Sequence, residues 1–244
     1  MSLISSFIDI IYPPRCQICA DFLEDHPKDR GDICDSCFSS FKELTHPFCS
    51  ICGEPFKSKV EEDHLCEKCL RKRPFFDELR APYLYEEKLM DSIRLIKYSG
   101  KSYIIKSLGP LLANFAKNWI AKTGDTVLMP VPLHKKKLKQ RGFNQSALFV
   151  KNISPALGIH ADLYSLIRTR YTKSQAGLSL EQRRKNVKGA FALKEGRDIK
   201  GKTVILVDDV ATTGNTINEC AGILKKAGAE KVLGLTLART AQHL

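Results

Sequence analysis

Eight of the nine cysteines stand in four Cys-x-x-Cys pairs, Cys16/Cys19, Cys34/Cys37, Cys49/Cys52 and Cys66/Cys69, with 14 residues between the first two pairs and 13 between the last two. One such turn points two thiolates at a single ion, and a second turn completes a tetrahedron of soft sulfurs, the donor set that Zn²⁺ favours. Two four-cysteine zinc sites are the natural count. Sequential pairing, 16/19 with 34/37 and 49/52 with 66/69, closes short loops at lower entropic cost than a cross-brace, which the spacing leaves open. Disulfides are the main rival, but a bridge inside Cys-x-x-Cys is strained, and Met1 to Tyr12 has neither a basic leader nor a small-residue cleavage site. A thioredoxin-like redox motif would occur once beside a βαβ unit, not four times in a segment of little apolar periodicity. Four thiolates leave no open coordination position, so the expected role is structural. His26, His46 and His64 are expected on loops, and Cys220, within a helical pattern, as a small buried apolar residue.

The second chemical segment is Thr203-Val-Ile-Leu-Val-Asp-Asp-Val-Ala-Thr-Thr-Gly-Asn-Thr216. An apolar run without alternation predicts a parallel strand covered on both faces. Ile217, Cys220, Ala221 and Leu224 then form the dry face of a helix, with Asn218, Glu219, Lys225 and Lys226 on its wet face. A loop entering a helix offers free N–H groups at the positive end of the dipole, at the carboxyl end of a strand, where open α/β sheets bind ligands. Thr212, Thr213 and Thr216 add hydroxyls, and Gly214 lets the backbone approach closely. With Asp208 and Asp209 ahead of it, this cradle suits a sugar phosphate, the acids on a ribose diol and the loop on the 5′-phosphate. It lacks the Gly-Lys-Ser/Thr of a Walker A loop and the Gly-x-Gly-x-x-Gly of a dinucleotide fold. Two acids at a strand end also suit Mg²⁺ in a receiver or phosphatase site, but neither use explains the adjoining Thr-Thr-Gly.

Val204 to Thr216 resembles the 5-phosphoribosyl-1-pyrophosphate (PRPP) motif of type I phosphoribosyltransferases. Residues 130–145, Pro-Val-Pro-Leu-His-Lys-Lys-Lys-Leu-Lys-Gln-Arg-Gly-Phe-Asn-Gln, and 168–191, with Thr172, Ser174, Gln175, Arg183, Asn186 and Gly189-Ala190-Phe191, resemble the ComF family, in which a double zinc ribbon precedes a phosphoribosyltransferase domain. The resemblance covers nearly the whole chain. It implies PRPP bound with Mg²⁺ through Asp208, Asp209, Ala211, Thr212, Thr213, Gly214, Asn215 and Thr216, and pyrophosphate held by the loop after residue 132, with Lys135 and Arg141 as ligands. It also implies a mobile loop within 168–188 that closes over the substrate. Arg183 and Lys135 are the electrophilic catalytic candidates beside Asp208 and Asp209; no general base stands out. A hood formed by Tyr83-Leu84-Tyr85 and Glu86 to Tyr98 carries no readable acceptor code. The family further implies a link to natural transformation, with single-stranded DNA and other DNA-uptake proteins as partners. The same residues also fit a binding module that holds PRPP as a ligand without transfer.

These residues need a scaffold. At 244 residues, 43% hydrophobic and 27% charged, the chain has a core to bury and is neither a disordered tail nor a collagen-like repeat. No apolar run reaches the ~20 residues of a membrane span, so a cytoplasmic location is expected; Leu3, Ile4, Phe7, Ile8 and Ile11 predict a short amphipathic helix. Residues 1–77 hold 10 Lys/Arg and 14 Asp/Glu, net −4, which leaves +16 on the remaining 167. That split, with the end of the Cys-rich composition, puts a boundary near residue 77, between a zinc-ribbon domain (1–77) and a phosphoribosyltransferase-like domain (78–244). The second is expected to be a mostly parallel α/β sheet with strands near 126–131, 203–208 and 231–237. Lys135, Lys136, Lys137, Lys139 and Arg141 put five positive charges in seven positions, for pyrophosphate, nucleic acid or solvent.

Overall fold

In the computed structural model, which describes residues 12–23, 33–56, 62–120, 125–172 and 179–241, the four Cys-x-x-Cys turns fold as two knuckle pairs. The second knuckle of each pair runs into one short helix, α1 (Asp35–Ser39) and α2 (Glu67–Arg71), with Cys34 and Cys66 at the N-caps. The segments expected as an N-terminal helix, His26, and Ser174 with Gln175 lie outside the described residues.

Six parallel strands follow: β1 (Glu78–Arg80), β2 (Tyr83–Leu84), β3 (Thr126–Pro130), β4 (His160–Ala161), β7 (Thr203–Ala211) and β8 (Lys231–Arg239). They lie in the order β1-β8-β7-β3-β4, with β2 extending the β1 edge along β8. The three expected strands are all present, and β7 and β8 run longer than expected. Their lack of alternation has the cause anticipated: Ile205, Val207, Leu233 and Leu235 face one core while Val204, Leu206 and Val232 face another. Helices α3 (Glu87–Tyr98), α4 (Ile104–Trp119) and α6 (Gln145–Leu157) cover the first face. Helix α8 (Asn215–Lys226) covers the second with Ile217, Cys220, Ala221 and Leu224, all buried as their spacing predicts.

The basic run after β3 is helical rather than a loop: α5 (Lys135–Arg141) is capped by His134, whose ring accepts the Lys136 N–H at 3.2 Å, and stopped by Gly142 at φ 83°. Lys, Leu, Gln and Arg are good helix formers, which explains the difference. Residues 166–193 form an excursion in which β5 (Leu166–Arg168) and β6 (Phe191–Leu193) pair antiparallel, with α7 (Leu180–Val187) between them behind a Ser179/Gln182 capping box.

The two ribbons straddle the sheet. Cys16, Ile33, Cys37 and Phe41 join the α3/α4 core, whereas Cys49, Ile51, Cys52 and Cys69 join the α8 core. The second ribbon is stitched to β1 by Leu79 N–H to the Ile51 carbonyl at 2.7 Å and by Arg80 to the Ser50 carbonyl at 2.7 Å. Gly53 sits at φ 63°, and a Cβ there would stand 2.6 Å from the Leu79 carbonyl oxygen, so both conformation and space call for glycine. Arg239, only 1% exposed at the end of β8, donates to Glu54 at 2.7 Å and to the Cys52 sulfur at 3.6 Å. Part of the α8 face expected to be wet is covered too. Asn218 accepts the Phe75 N–H at 2.7 Å and Lys225 pairs with Asp77 at 2.8 Å.

Candidate functional site

The C-terminal ends of β3, β7 and β8 open into a cavity of about 440 Å³. Its floor is Asp208 to Ile217, the strand end, loop and first turn of α8, with Gly214 at φ 73° as the N-cap. All of Asp208, Asp209, Ala211, Thr212, Thr213, Gly214, Asn215 and Thr216 line it. Thr240 joins from the end of β8, held by its N–H to the Ala211 carbonyl at 3.0 Å.

The two acids differ in surroundings. Asp208 is half-buried; Ser146 Oγ donates to its Oδ1 at 2.8 Å and the Asp209 N–H to the same oxygen at 2.9 Å. Burial and the neighbouring Asp209 charge push its pKa up to about 7, against the opposing pull of Lys97 and Ser146. Asp209 is 4% exposed and pairs through Oδ1 with Lys97 Nζ at 2.8 Å, while its Oδ2 is buried with no hydrogen-bonding partner. Burial disfavours the Lys97 ammonium, but the two carboxylates outweigh it and raise the Lys97 pKa.

The Arg141-Gly142-Phe143-Asn144-Gln145 segment now has a mechanical reading. Asn144 caps α6 by accepting the Ser146 N–H at 3.2 Å and donates to the Val131 carbonyl at 3.0 Å, which ties α6 to the end of β3. Arg141 donates to Gln145 at 2.6 Å. This fixes Ser146 beneath Asp208. Of the α5 cations, Lys137 and Arg141 line the cavity, being four apart on one face, and Lys135 does not: it is exposed. Burial and the nearby charges of Arg168, Arg141 and Lys97 lower the Lys137 pKa. Arg168, at the end of β5, also lines the cavity; it bonds to the buried Thr172 and lies over the Phe191 ring at 5.0 Å. Arg183 falls in α7, but its side chain lies outside the described residues. Sequence reasoning missed Ser146 and Thr240, and took Arg94 and Lys97 only as part of the hood, Glu86 to Tyr98, with no role of their own. The last two, with Tyr98, follow a helical i, i+3, i+4 spacing that marks one face, but nothing local says that this face meets residues 208–216.

Each four-cysteine set gathers its sulfurs within 4.8 Å of one another, in the sequential pairing. Tetrahedral Zn–S bonds of about 2.3 Å require S···S edges of about 3.8 Å. Cys19 to Cys34 at 3.6 Å and Cys52 to Cys66 at 3.7 Å match that edge, so both sets fit structural zinc. Backbone N–H groups of Cys34 and Cys66 point at Cys16 and Cys49 sulfurs at 3.4 Å each, as thiolate ligands require. His46 instead meets Asp63 at 2.9 Å and His64 stacks on Phe56 at 3.9 Å. Elemental analysis of the purified protein is expected to find two zinc ions per chain; one or none would remove a zinc site. Among the described residues no helix is long and apolar enough to cross a membrane.

Comparison with known proteins agrees with both halves. Residues 7–70 match the double zinc ribbon domain and 144–243 the phosphoribosyl transferase domain. Competence protein F of Haemophilus influenzae is 32% identical over 215 residues, 86% of this chain and 91% of that protein. The DNA utilization protein YhgH of Escherichia coli K12 is 34% identical over 212 residues, 85% of this chain and 90% of its own length. Competence protein ComFC of Bacillus subtilis is 28% identical over 222 residues, 85% and 84% of the two chains. With this degree of identity over nearly the whole length, and with two four-cysteine knuckle pairs set against a parallel sheet, the chain belongs to the ComF/YhgH family.

Proposed function

We propose that the cavity binds PRPP with Mg²⁺ and presents its C1 carbon for phosphoribosyl transfer. The observation that carries this reading is convergence: the acid pair, the Thr-Thr-Gly loop and the cations Lys137, Arg141 and Arg168 all line one cavity. Asp208 and Asp209 accept from the ribose hydroxyls, the 212–216 loop holds the 5′-phosphate, and Lys137, Arg141 and Arg168 hold the pyrophosphate. Lys135 and Arg183 enter as catalytic groups only if segments 133–141 and 168–188 close over the substrate. Departure of pyrophosphate builds positive charge at C1 and negative charge on the leaving oxygens, which these cations stabilise. The partnerless Asp209 Oδ2 gives Mg²⁺ or a diol hydroxyl an acceptor that is already desolvated. Mg²⁺, when bound, supplies further neutralisation of the pyrophosphate. The test is calorimetry with PRPP and Mg²⁺ on the full chain, followed by a pyrophosphate-release screen against free bases, nucleotides and single-stranded DNA. Saturable PRPP binding is expected, and its absence would overturn the reading. Release with any acceptor separates an enzyme from a binder.

The names of the relatives support a role in competence or DNA use; to that role we add, as our own reading, a cytoplasmic site, other DNA-uptake proteins as partners, and a division of the chain near residue 77. A second reading, single-stranded DNA binding, has its own observation. Lys135, Lys136 and Lys139 are exposed on α5, and the Lys136 ammonium lies 5.7 Å from the ring of exposed Tyr171, with His134 edge-on to that ring at 5.5 Å. Cations beside an aromatic platform suit an unstacked strand. Replacing the three lysines with glutamine should flatten the salt dependence of oligonucleotide binding by about two, at ~0.7 per phosphate contact. Fluorescence anisotropy at several salt concentrations reads this, and an unchanged slope would leave the lysines to solubility.

A further inference from the structure

The cavity has a wall that PRPP does not account for. Tyr85 follows β2, and Arg94, Lys97 and Tyr98 share the last turns of α3. Strand β2 lies against β8, on one side of β7, whereas β3, which feeds the α5 cations, lies on the other. Asp208 and Asp209 at the end of β7 therefore stand between the α5 cations and the α3 wall. Displacement at C1 brings nucleophile and leaving group to opposite faces of the carbon. With pyrophosphate on the α5 side, the acceptor enters along α3.

That wall offers two cations and two phenols, and no carboxylate or imidazole of its own. Burial pushes the Tyr85 phenol further up, away from any role as a base. Arg94 meets Asp91 only at 4.0 Å, the limit of an ion pair, so its guanidinium is available to a ligand. The adjoining Asp208 and Asp209 are assigned to the ribose diol, and Lys97 is already matched by Asp209 at 2.8 Å, so among the described residues the wall itself holds no base and Arg94 is its one cation without a close counter-charge. Building on the PRPP reading, we infer that the α3 wall is an acceptor subsite for a planar heteroaromatic acid: its ring lies against Tyr85 and Tyr98, its carboxylate meets Arg94, and its ring nitrogen attacks C1 with its own lone pair. The N–C1 bond forms as the C1–O bond to pyrophosphate breaks. The electron pair leaves with pyrophosphate and no proton changes hands.

Two matched probe pairs test this, nicotinate against nicotinamide and isonicotinate against its amide, titrated calorimetrically into the full chain loaded with PRPP and Mg²⁺. Each acid is expected to bind at least about tenfold more tightly than its amide, the scale of one charge-assisted contact. In Arg94→Gln, at a largely exposed position where folding should hold, that ratio should collapse towards one. If PRPP itself does not bind, the cavity reading falls and takes this inference with it. If PRPP binds but neither acid is preferred, only the acceptor inference is overturned. A preference that survives Arg94→Gln likewise removes the α3 wall from the assignment.

Discussion

Replacing Asp208 and Asp209 together with asparagine is expected to lower PRPP affinity by at least about 100-fold. Each substitution keeps the size and removes the charge, so each weakens a charge-assisted hydrogen bond to a ribose hydroxyl, a contact of about 1.5–3 kcal/mol. Two of them total roughly 3–6 kcal/mol, at about 1.4 kcal/mol per tenfold. The double variant also strips Lys97 of its carboxylate, so a thermal melt is needed beside the calorimetry. Folded protein with unchanged affinity would sink the diol assignment. Acidity gives an independent test. Because the Asp208 pKa is raised to about 7, the free protein holds this carboxyl protonated at pH 6, and a ligand that prefers the carboxylate must expel that proton. Affinity should therefore rise by up to about tenfold per pH unit below 7 and level off above it. The phosphates of PRPP titrate too, but equally with Asp208→Asn. The difference between the two pH profiles isolates the side chain, and identical profiles would show that its ionisation plays no part.

The second large effect concerns Arg239. Removing one partner of a buried ion pair leaves the other charge in a poor solvent and costs about 3–5 kcal/mol. Arg239→Met should thus lower the melting temperature by roughly 6–20 °C at ~2–4 °C per kcal/mol for a chain of this size. Glu54 is itself only 4% exposed, so adding Glu54→Gln should restore part of the loss. The same guanidinium faces the Cys52 sulfur and neutralises part of the charge on a zinc tetrathiolate. Arg239→Met should therefore release one zinc to a chelator faster than the wild-type protein does, with the second zinc, in Cys16/Cys19/Cys34/Cys37, retained as before. A variant that melts with the wild type would show that the pair contributes nothing.

What was legible in the residues was what is local. The cysteine spacing led to both sulfur sets because ligands and turn lie within a few residues. The run at 203–208 led to a central strand because burial on both faces leaves its mark on composition. The hidden parts are long-range. The resemblance made the segment of Arg94 and Lys97 a hood, but nothing near them in the sequence picks out these two as facing the end of β7, and nothing near Arg239 shows that Glu54, 185 positions earlier, receives it. The α5 run reads as charge in the sequence, and only its helical phase sorts Lys137 and Arg141 towards the cavity from Lys135, Lys136 and Lys139. Asn218 reads as a solvated helix residue for the same reason, since Phe75 covers it from 143 positions away.

The placement of β8 between β7 and the β1/β2 edge sets a timetable for synthesis. The ribbons leave the ribosome first, at about 5–20 residues per second, well before the strand against which both of them pack. Zinc can close each four-thiolate set at once, because its ligands span only about twenty residues, so two small ordered bodies wait on the growing chain for their shared sheet. Neither core face is complete until residues 231–239 slot in beside Thr203–Ala211 and the Glu78–Arg80 edge. A stop codon between residues 212 and 230 therefore does more than shorten the protein: it leaves both ribbons with their full cysteine sets but unseated, with apolar surface open on each side of an unfinished sheet.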